Sequence, residues 1–186
     1  MRIITGSAKG VKLVTLEGLN TRPTAERAKE AIFSKLQFDL VGRTVLDLFS
    51  GSGQMGLEAL RRGAAHAVLC DRAKDAVDVI QKNAEKTRLK ERCMILCADY
   101  ADCLSRMETM NKRFDIVFLD PPYASDMLEN AVDLLVKKAL LKTGAFVVCE
   151  SNRADFDFSP ALEVVKQYRY GIAYVTIFTL KQEAEI

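Results

Sequence analysis

The segment Val45-Leu46-Asp47-Leu48-Phe49-Ser50-Gly51-Ser52-Gly53-Gln54-Met55-Gly56 constrains the fold more than any other stretch of the chain. A short apolar run breaks into a turn whose glycines at 51, 53 and 56 match G-x-G-x-x-G, and a helical pattern opens directly behind it. Glycines at that spacing serve a tight turn, a close approach of backbone to ligand, and close packing of helix on strand. The N-terminus of the helix that follows favours an anionic group. A strand, turn and helix of this kind belong to a layered α/β domain, and the rest of the sequence supplies the other layers.

Thr44–Phe49, Ala67–Cys70, Cys93–Cys97, Phe114–Leu119 and Ala145–Glu150 read as apolar strands, the last entered through a Thr143-Gly144 turn. Between them, Gln54–Arg62, Ala73–Thr87, Tyr100–Met110 and Asp126–Lys138 carry helical periodicity, as with Ala76, Val77, Ile80 and Ala84 on one face. Near-continuous apolar strands alternating with amphipathic helices imply a parallel sheet covered on both sides. Glu163–Tyr170 and Ile172–Leu180 flank Gly171 and read as an antiparallel hairpin. Upstream, Arg2–Thr5 and Val11–Thr15 form a plausible hairpin, and a helix starts at Thr24 with Ala28, Ala31, Ile32 and Leu36 on its apolar face. The expected architecture is a three-layer, Rossmann-like α/β sheet, mostly parallel, with a C-terminal antiparallel hairpin and a small N-terminal β-hairpin and helix appendage. Residues 1–186 make one domain, with 1–40 as the appendage and 41–186 as the core.

Composition narrows the class. A chain of 186 residues, 49% hydrophobic and 28% charged, buries about 70% of its unfolded surface in a single core. No window reaches the roughly 18 apolar residues of a membrane span, and the N-terminus lacks a secretory apolar region. The expectation is a soluble, cytoplasmic protein with no membrane partner. Five cysteines without a C-x-x-C pair, and a single histidine at 66, do not offer the ligands of a structural metal site, so no metal is expected. The first 36 residues carry a net +4 and the rest a net −2. That basic arm reads either as a phosphate-contacting surface or as a solvated face.

Three acids lie at strand ends. Asp71 stands 20 residues beyond Gly51, placed to accept hydrogen bonds from ribose hydroxyls. Asp47 stands four residues before Gly51. It suits a ligand with a positive amine, such as the methionine part of S-adenosylmethionine, and would repel a pyrophosphate; alternatively it caps the turn. The same acid, and the lack of a substrate domain, disfavour a nicotinamide oxidoreductase. Asp99 follows the third strand and is placed to accept from an adenine amine, with Asp102 as a competitor and a surface carboxylate as the plain alternative for either.

Phe114–Leu119 ends in Asp120-Pro121-Pro122-Tyr123. Two prolines after a buried strand hold the backbone stiff and extended. A carboxylate, a free carbonyl and a flat ring together suit a planar base bearing an exocyclic amine. Hydrogen bonds from that amine to Asp120 and the Pro121 carbonyl would localise its lone pair for attack on an electrophilic methyl group, with positioning supplying much of the acceleration.

D-x-F-x-G-x-G followed by D-P-P-Y resembles the Rossmann-like S-adenosylmethionine-dependent methyltransferases of nucleobase amines. Arg2-Ile3-Ile4-Thr5-Gly6, Gly10-x-Lys12-Leu13 and Arg22-Pro23-Thr24-x-x-Arg27-x-Lys29-Glu30 look like the N-terminal region of the RsmD family, and the Tyr170-Gly171 hairpin also fits. These are bacterial enzymes that methylate the N2 amine of a guanine in small-subunit ribosomal RNA. The resemblance implies cofactor contacts from Asp47, Gly51, Ser52, Gly53 and Asp71, with Phe49 and Arg72 beside them and Asp99 near the adenine. It implies a catalytic group of Asp120, Pro121, Pro122 and Tyr123, and RNA contacts from Lys9, Lys12, Arg22, Thr24 and Arg27. The implied cofactor is S-adenosylmethionine, with S-adenosylhomocysteine as product. The implied partner is ribosomal RNA or the small subunit, bound by a monomer or weak dimer. The alternative is another nucleobase amine, in DNA adenine or cytosine or in transfer RNA. Two departures stand out: Ser7-Ala8 where the family has basic or aromatic residues, and Ala73 where it often has an acid.

Overall fold

The computed structural model describes residues 13–14, 23–122, 126–154 and 159–181. The elements run α1 (Pro23–Lys35), β1 (Thr44–Asp47), α2 (Gln54–Arg61), β2 (His66–Asp71), α3 (Lys74–Lys86), a 3-10 turn (Lys90–Arg92), β3 (Cys93–Cys97), α4 (Tyr100–Thr109), β4 (Phe114–Leu119), α5 (Met127–Lys137), β5 (Leu141–Ser151), β6 (Leu162–Tyr170) and β7 (Ala173–Leu180). The strands form one seven-stranded sheet in the order β3-β2-β1-β4-β5-β7-β6. β3, β2, β1, β4 and β5 are parallel, whereas β7 runs antiparallel to both β5 and β6.

Side-chain alternation along the strands divides the core in two. Leu46, Val68, Val117, Leu119 and Val147 face α4 and α5 through Leu104, Met107, Ala131 and Leu135. Val45, Leu69, Ile116, Phe118 and Val148 face α1, α2 and α3 through Ile32, Phe33, Leu57 and Ile80. The expected three layers are present, with α1 packed as part of one layer. The N-terminal hairpin expected at Arg2–Thr5 and Val11–Thr15 falls outside the described residues except for Leu13 and Val14.

Several boundaries differ from expectation. β1 stops at Asp47 and not Phe49, because Leu48 and Phe49 already turn out of the sheet; the Leu48 N–H donates to Phe118 O and the Ser50 N–H to Cys70 O. β2 begins one residue earlier, at His66, and continues to Asp71. The helices give up one residue at an end to a cap, as at Ala73 and Thr87 of α3 and at Asp126 and Lys138 of α5. The Thr143-Gly144 turn is not a separate turn. β5 starts at Leu141, and the extra residues bulge between the pairs Phe114↔Leu141 and Ile116↔Phe146. The bulge lets Lys142 Nζ reach Asp115 Oδ2 at 2.7 Å. Ile172 belongs to the hairpin turn, and β7 begins at Ala173.

The chain builds outwards from β1 to β3, then returns to place β4 on the other side of β1. In an open α/β sheet such a switch point opens a crevice at the carboxyl ends of the strands. Here that crevice lies beyond Asp47 on one strand and Leu119 on its neighbour.

Candidate active site

A cleft of about 420 Å³ occupies the switch point, lined by Leu48, Phe49, Gly51, Asp71, Arg72, Ala73, Ala76, Ala98, Asp99, Tyr100, Asp120, Pro121, Pro122 and Met127. Asp71 ties its floor together. Its Oδ2 accepts from the Gly51 N–H and its Oδ1 from the Ala73 N–H, each at 2.9 Å, so the end of β2 holds the glycine turn after β1. Gly51 has φ +54°, and a Cβ there would enter open space with nothing within 4 Å. Asp99 caps α4, accepting from the Ala101 N–H at 3.0 Å. The Phe49 and Tyr100 rings lie 5.7 Å apart and form an aromatic wall.

Asp47, Ser52 and Gly53 are placed behind this surface and are not among its lining residues. Asp47 is 4% exposed, and its Oδ2 accepts from the Gly56 N–H at 2.9 Å. The α2 cap residue Gly53 offers no side chain, so Asp47 satisfies one of the helix's free donors from the preceding strand. Gly56 is required by packing: a Cβ there would stand 2.2 Å from Leu69 Cδ2. The Ser52 carbonyl accepts from Asn83 Nδ2 at 2.9 Å. Fully buried Asn83 also accepts from the Val14 N–H at 2.8 Å and donates to the Val14 carbonyl at 3.0 Å. One amide therefore clamps the chain before α1 to the glycine turn.

Five successive strands of the parallel block end near an acid: Asp99, Asp71, Asp47, Asp120 and Glu150 in the spatial order β3, β2, β1, β4, β5. Leu119 pairs with Cys149, so Asp120 and Glu150 come next in register. Burial pushes the Asp47 carboxyl up to about 7, opposed by the Gly56 hydrogen bond and reinforced by Asp71. Desolvation by the surrounding walls, then the charges of Glu150 and Asp47, push Asp120 up to about 8. The Asp120 side chain is exposed into the cleft, so water screens part of the first effect and the neighbouring carboxylates fix the direction. At the opposite edge of the sheet, Asp115 meets Arg43 at 3.0 Å and Lys142 at 2.7 Å. Against the burial that alone would raise it, these cations and the Thr44 N–H hold it below the usual carboxylate range. Among the described residues, no Lys or Arg forms an ion pair with Asp47, Asp71, Asp99 or Asp120. A crevice with acceptors at Asp71 and Asp99, an aromatic wall and unpaired carboxyls fits a nucleoside that carries positive charge.

The structure thus brings Phe49, Gly51, Asp71, Arg72, Asp99, Asp120, Pro121 and Pro122 into one cleft. Asp102 is exposed on α4 and outside the lining, so Asp99 is the acid that faces the crevice. Arg27 is exposed on α1 and apart from the cleft's lining. Tyr123, Lys9, Lys12, Arg22 and the Thr24 side chain lie outside the described residues. Tyr100, Met127, Ala73, Ala76 and Ala98 escaped sequence reading, because nothing in a helix start or an alanine marks a wall. Glu150 was findable, as it repeats the pattern of an acid ending an apolar strand. Among the described residues, no group of three or more His, Cys, Asp or Glu is arranged to hold a metal, and no helix is long and apolar enough to cross a membrane.

The strand order and the crevice define a Rossmann-like α/β protein of the methyltransferase kind. The same fold occurs in an O-methyltransferase from Bacillus cereus solved in complex with SAH, at 14% identity and a TM-score of 0.71, with 89% of this chain and 84% of that one covered. The chain belongs to the family described as conserved hypothetical protein 95, whose model matches residues 1–179; this is the RsmD family. It is 32% identical over 154 residues to the ribosomal RNA small subunit methyltransferase D of Haemophilus influenzae, covering 82% of this chain and 79% of that protein. The solved structure of yhhF from Escherichia coli superposes with a TM-score of 0.87 at 27% identity, covering 98% and 99% of the two chains.

Proposed function

We propose that this protein transfers a methyl group from S-adenosylmethionine to the exocyclic N2 amine of a guanine in small-subunit ribosomal RNA. The observation that carries the reading is convergence: Asp120-Pro121-Pro122 and the Asp71 and Asp99 acceptors line the same cleft. Family membership and a relative named for small-subunit ribosomal RNA support the choice of substrate.

Asp71 and Asp99 would hold the nucleoside, with the Phe49 and Tyr100 rings beside it and the Gly51 turn beneath. When bound, S-adenosylmethionine supplies a methyl group made electrophilic by its sulfonium. Asp120 and the Pro121 carbonyl accept hydrogen bonds from the target amine and direct its lone pair. The carboxylate then faces the positive charge that develops on nitrogen, a preorganised acceptor in a partly enclosed site. Pro121 and Pro122 keep that carbonyl fixed, so little reorganisation accompanies attack. A strong base is not required: the amine becomes acidic as its new N–C bond forms, and its proton then passes to solvent water at the open mouth of the cleft. The guanine reaches this position only by leaving its stack.

The test is transfer of a tritiated methyl group to small ribosomal subunits lacking the modification, with protein-free ribosomal RNA, transfer RNA, DNA and an Asp120→Ala enzyme in parallel. Label recovered as N2-methylguanosine in small-subunit RNA, and lost in the variant, is the expected result. Label in DNA or transfer RNA alone would overturn the substrate, and label in none would overturn the reaction.

A further inference from the structure

We propose that the tip of the β6–β7 hairpin is a second RNA-contacting surface, gripping nucleotides that flank the target base. The inference rests on the RNA reading above and adds to the basic N-terminal arm a site at the other end of the chain.

Position is the first argument. Ser151, the last residue of β5, pairs with Tyr174, and Tyr170 pairs with Ala173 beyond it. The hairpin therefore projects past the carboxyl end of β5, the same sheet edge that holds the cleft. Register continues the alignment: Asp120 follows Leu119, Glu150 pairs with Val175, and Val175 pairs with Tyr168. Three strand spacings separate the first from the last, about 14 Å, or about four stacked nucleotides at 3.4 Å each. Alternation puts Tyr168 and Tyr170 on the α1 side of the sheet, where both pack on the core cluster containing Ile116 and Phe118. Asp120, two residues beyond Phe118, continues that parity.

Chemistry is the second. Residues 164–181 contain Lys166, Arg169 and Lys181 and no Asp or Glu. Lys166 and Arg169 are exposed, and Ile172 at the turn is 69% exposed. The Tyr168 and Tyr170 rings stack at 6.3 Å, with Lys166 Nζ 5.9 Å from the Tyr168 centroid. On the other side, the Arg169 guanidinium lies 5.5 Å from the Tyr174 centroid, and its Nε donates to the Gly171 carbonyl at 3.2 Å. A guanidinium held over a ring and tethered by a hydrogen bond is restricted in orientation, ready for phosphate or for a stacked base. Cations interleaved with aromatic rings form the usual surface for unpaired nucleotides. An exposed apolar side chain at a loop tip suits contact with a base edge or an unstacked step.

Because β6 is the edge of the sheet, its cations have a rival explanation as guards against strand pairing. The experiment separates the two. Lys166→Ala/Arg169→Ala and, separately, Ile172→Ser are compared with wild type for binding to small ribosomal subunits lacking the modification, across a salt series. S-adenosylhomocysteine affinity serves as the control for a folded cleft. The double variant should bind subunits at least tenfold more weakly and lower the slope of log K against log salt by about 1–2. Ile172→Ser should weaken binding with no change of slope. S-adenosylhomocysteine affinity should stay at the wild-type value throughout. Unchanged subunit affinity and slope in the double variant would leave only edge protection and overturn the proposal. Equal binding of protein-free RNA by variant and wild type, beside weaker binding of subunits, would assign the surface to a protein and overturn it too. A wild type that methylates no RNA would instead remove the reading on which it rests.

Discussion

In the proposed reaction Asp120 serves as an acceptor, and its chemistry is set by what crowds it. Its carboxyl is raised to about 8 by the cleft walls and by Glu150 and Asp47, so below that pH much of the free enzyme carries a proton where the amine needs a lone pair. The ratio kcat/KM should therefore rise with pH through about 8. A cationic ligand in the cleft favours the ionised form, so the corresponding limb in kcat should lie at lower pH. Asp120→Asn should abolish the limb and reduce activity about 10²-fold or more; a pH–rate profile with its limb intact in that variant would reassign the titrating group. Asp47 follows the same rule in stability. Its carboxyl stands near 7 in the folded protein against an ordinary 3.8, so the native state binds a proton that the unfolded chain has released. Its contribution is complete below about pH 4, declines as pH rises, and is gone above about pH 7. Asp47→Asn keeps an acceptor for the Gly56 N–H and removes the titration. Its Tm relative to wild type should climb between pH 4 and 8, measured by thermal melts in matched buffers. Both acids were legible in the sequence as strand-end residues. The burial of Asp47 and the crowding of Asp120 were not, because they depend on neighbouring strands and a helix that no local pattern specifies.

At the scale of elements, helices and strands were readable because each carries its own period. Phe114–Leu119 is six buried residues in a row, as a central parallel strand demands, and α3 shows its single apolar face. The β5 bulge was not readable. Thr143-Gly144 has the chemistry of a turn, and only the reach of Lys142 to Asp115 shows why the chain stays in the sheet there. The junction of β1, glycine turn and α2 is the element with least slack. Gly56→Ala would set a Cβ 2.2 Å from Leu69 Cδ2, against a side chain that is fully buried. The expected cost is about 1–3 kcal/mol, seen as a Tm lower by roughly 2–12 °C; an unchanged melt would show that Leu69 repacks freely.

At the scale of the whole molecule, the sequence showed acids at strand ends but not which strands are neighbours. Only the order β3-β2-β1-β4-β5 turns Asp99, Asp71, Asp47, Asp120 and Glu150 into a continuous rim, while Asp115 with its cations sits at the other edge. The Asn83 clamp was equally invisible, since its bonds span 69 residues to Val14 and 31 to Ser52. It has a consequence in time. Contacts of such separation form after the local ones that reward them sooner, so the segment at Val14 locks on late and should open first. Hydrogen exchange should show the Val14 amide exchanging well before that of Leu46 in β1; exchange at the same rate would place both in one cooperative unit. During synthesis the delay is literal. Val14 leaves the ribosome first but must wait for Asn83, some 69 residues later, roughly 3–14 s at 5–20 residues per second. The earliest-made part of the clamp is the last to find its place.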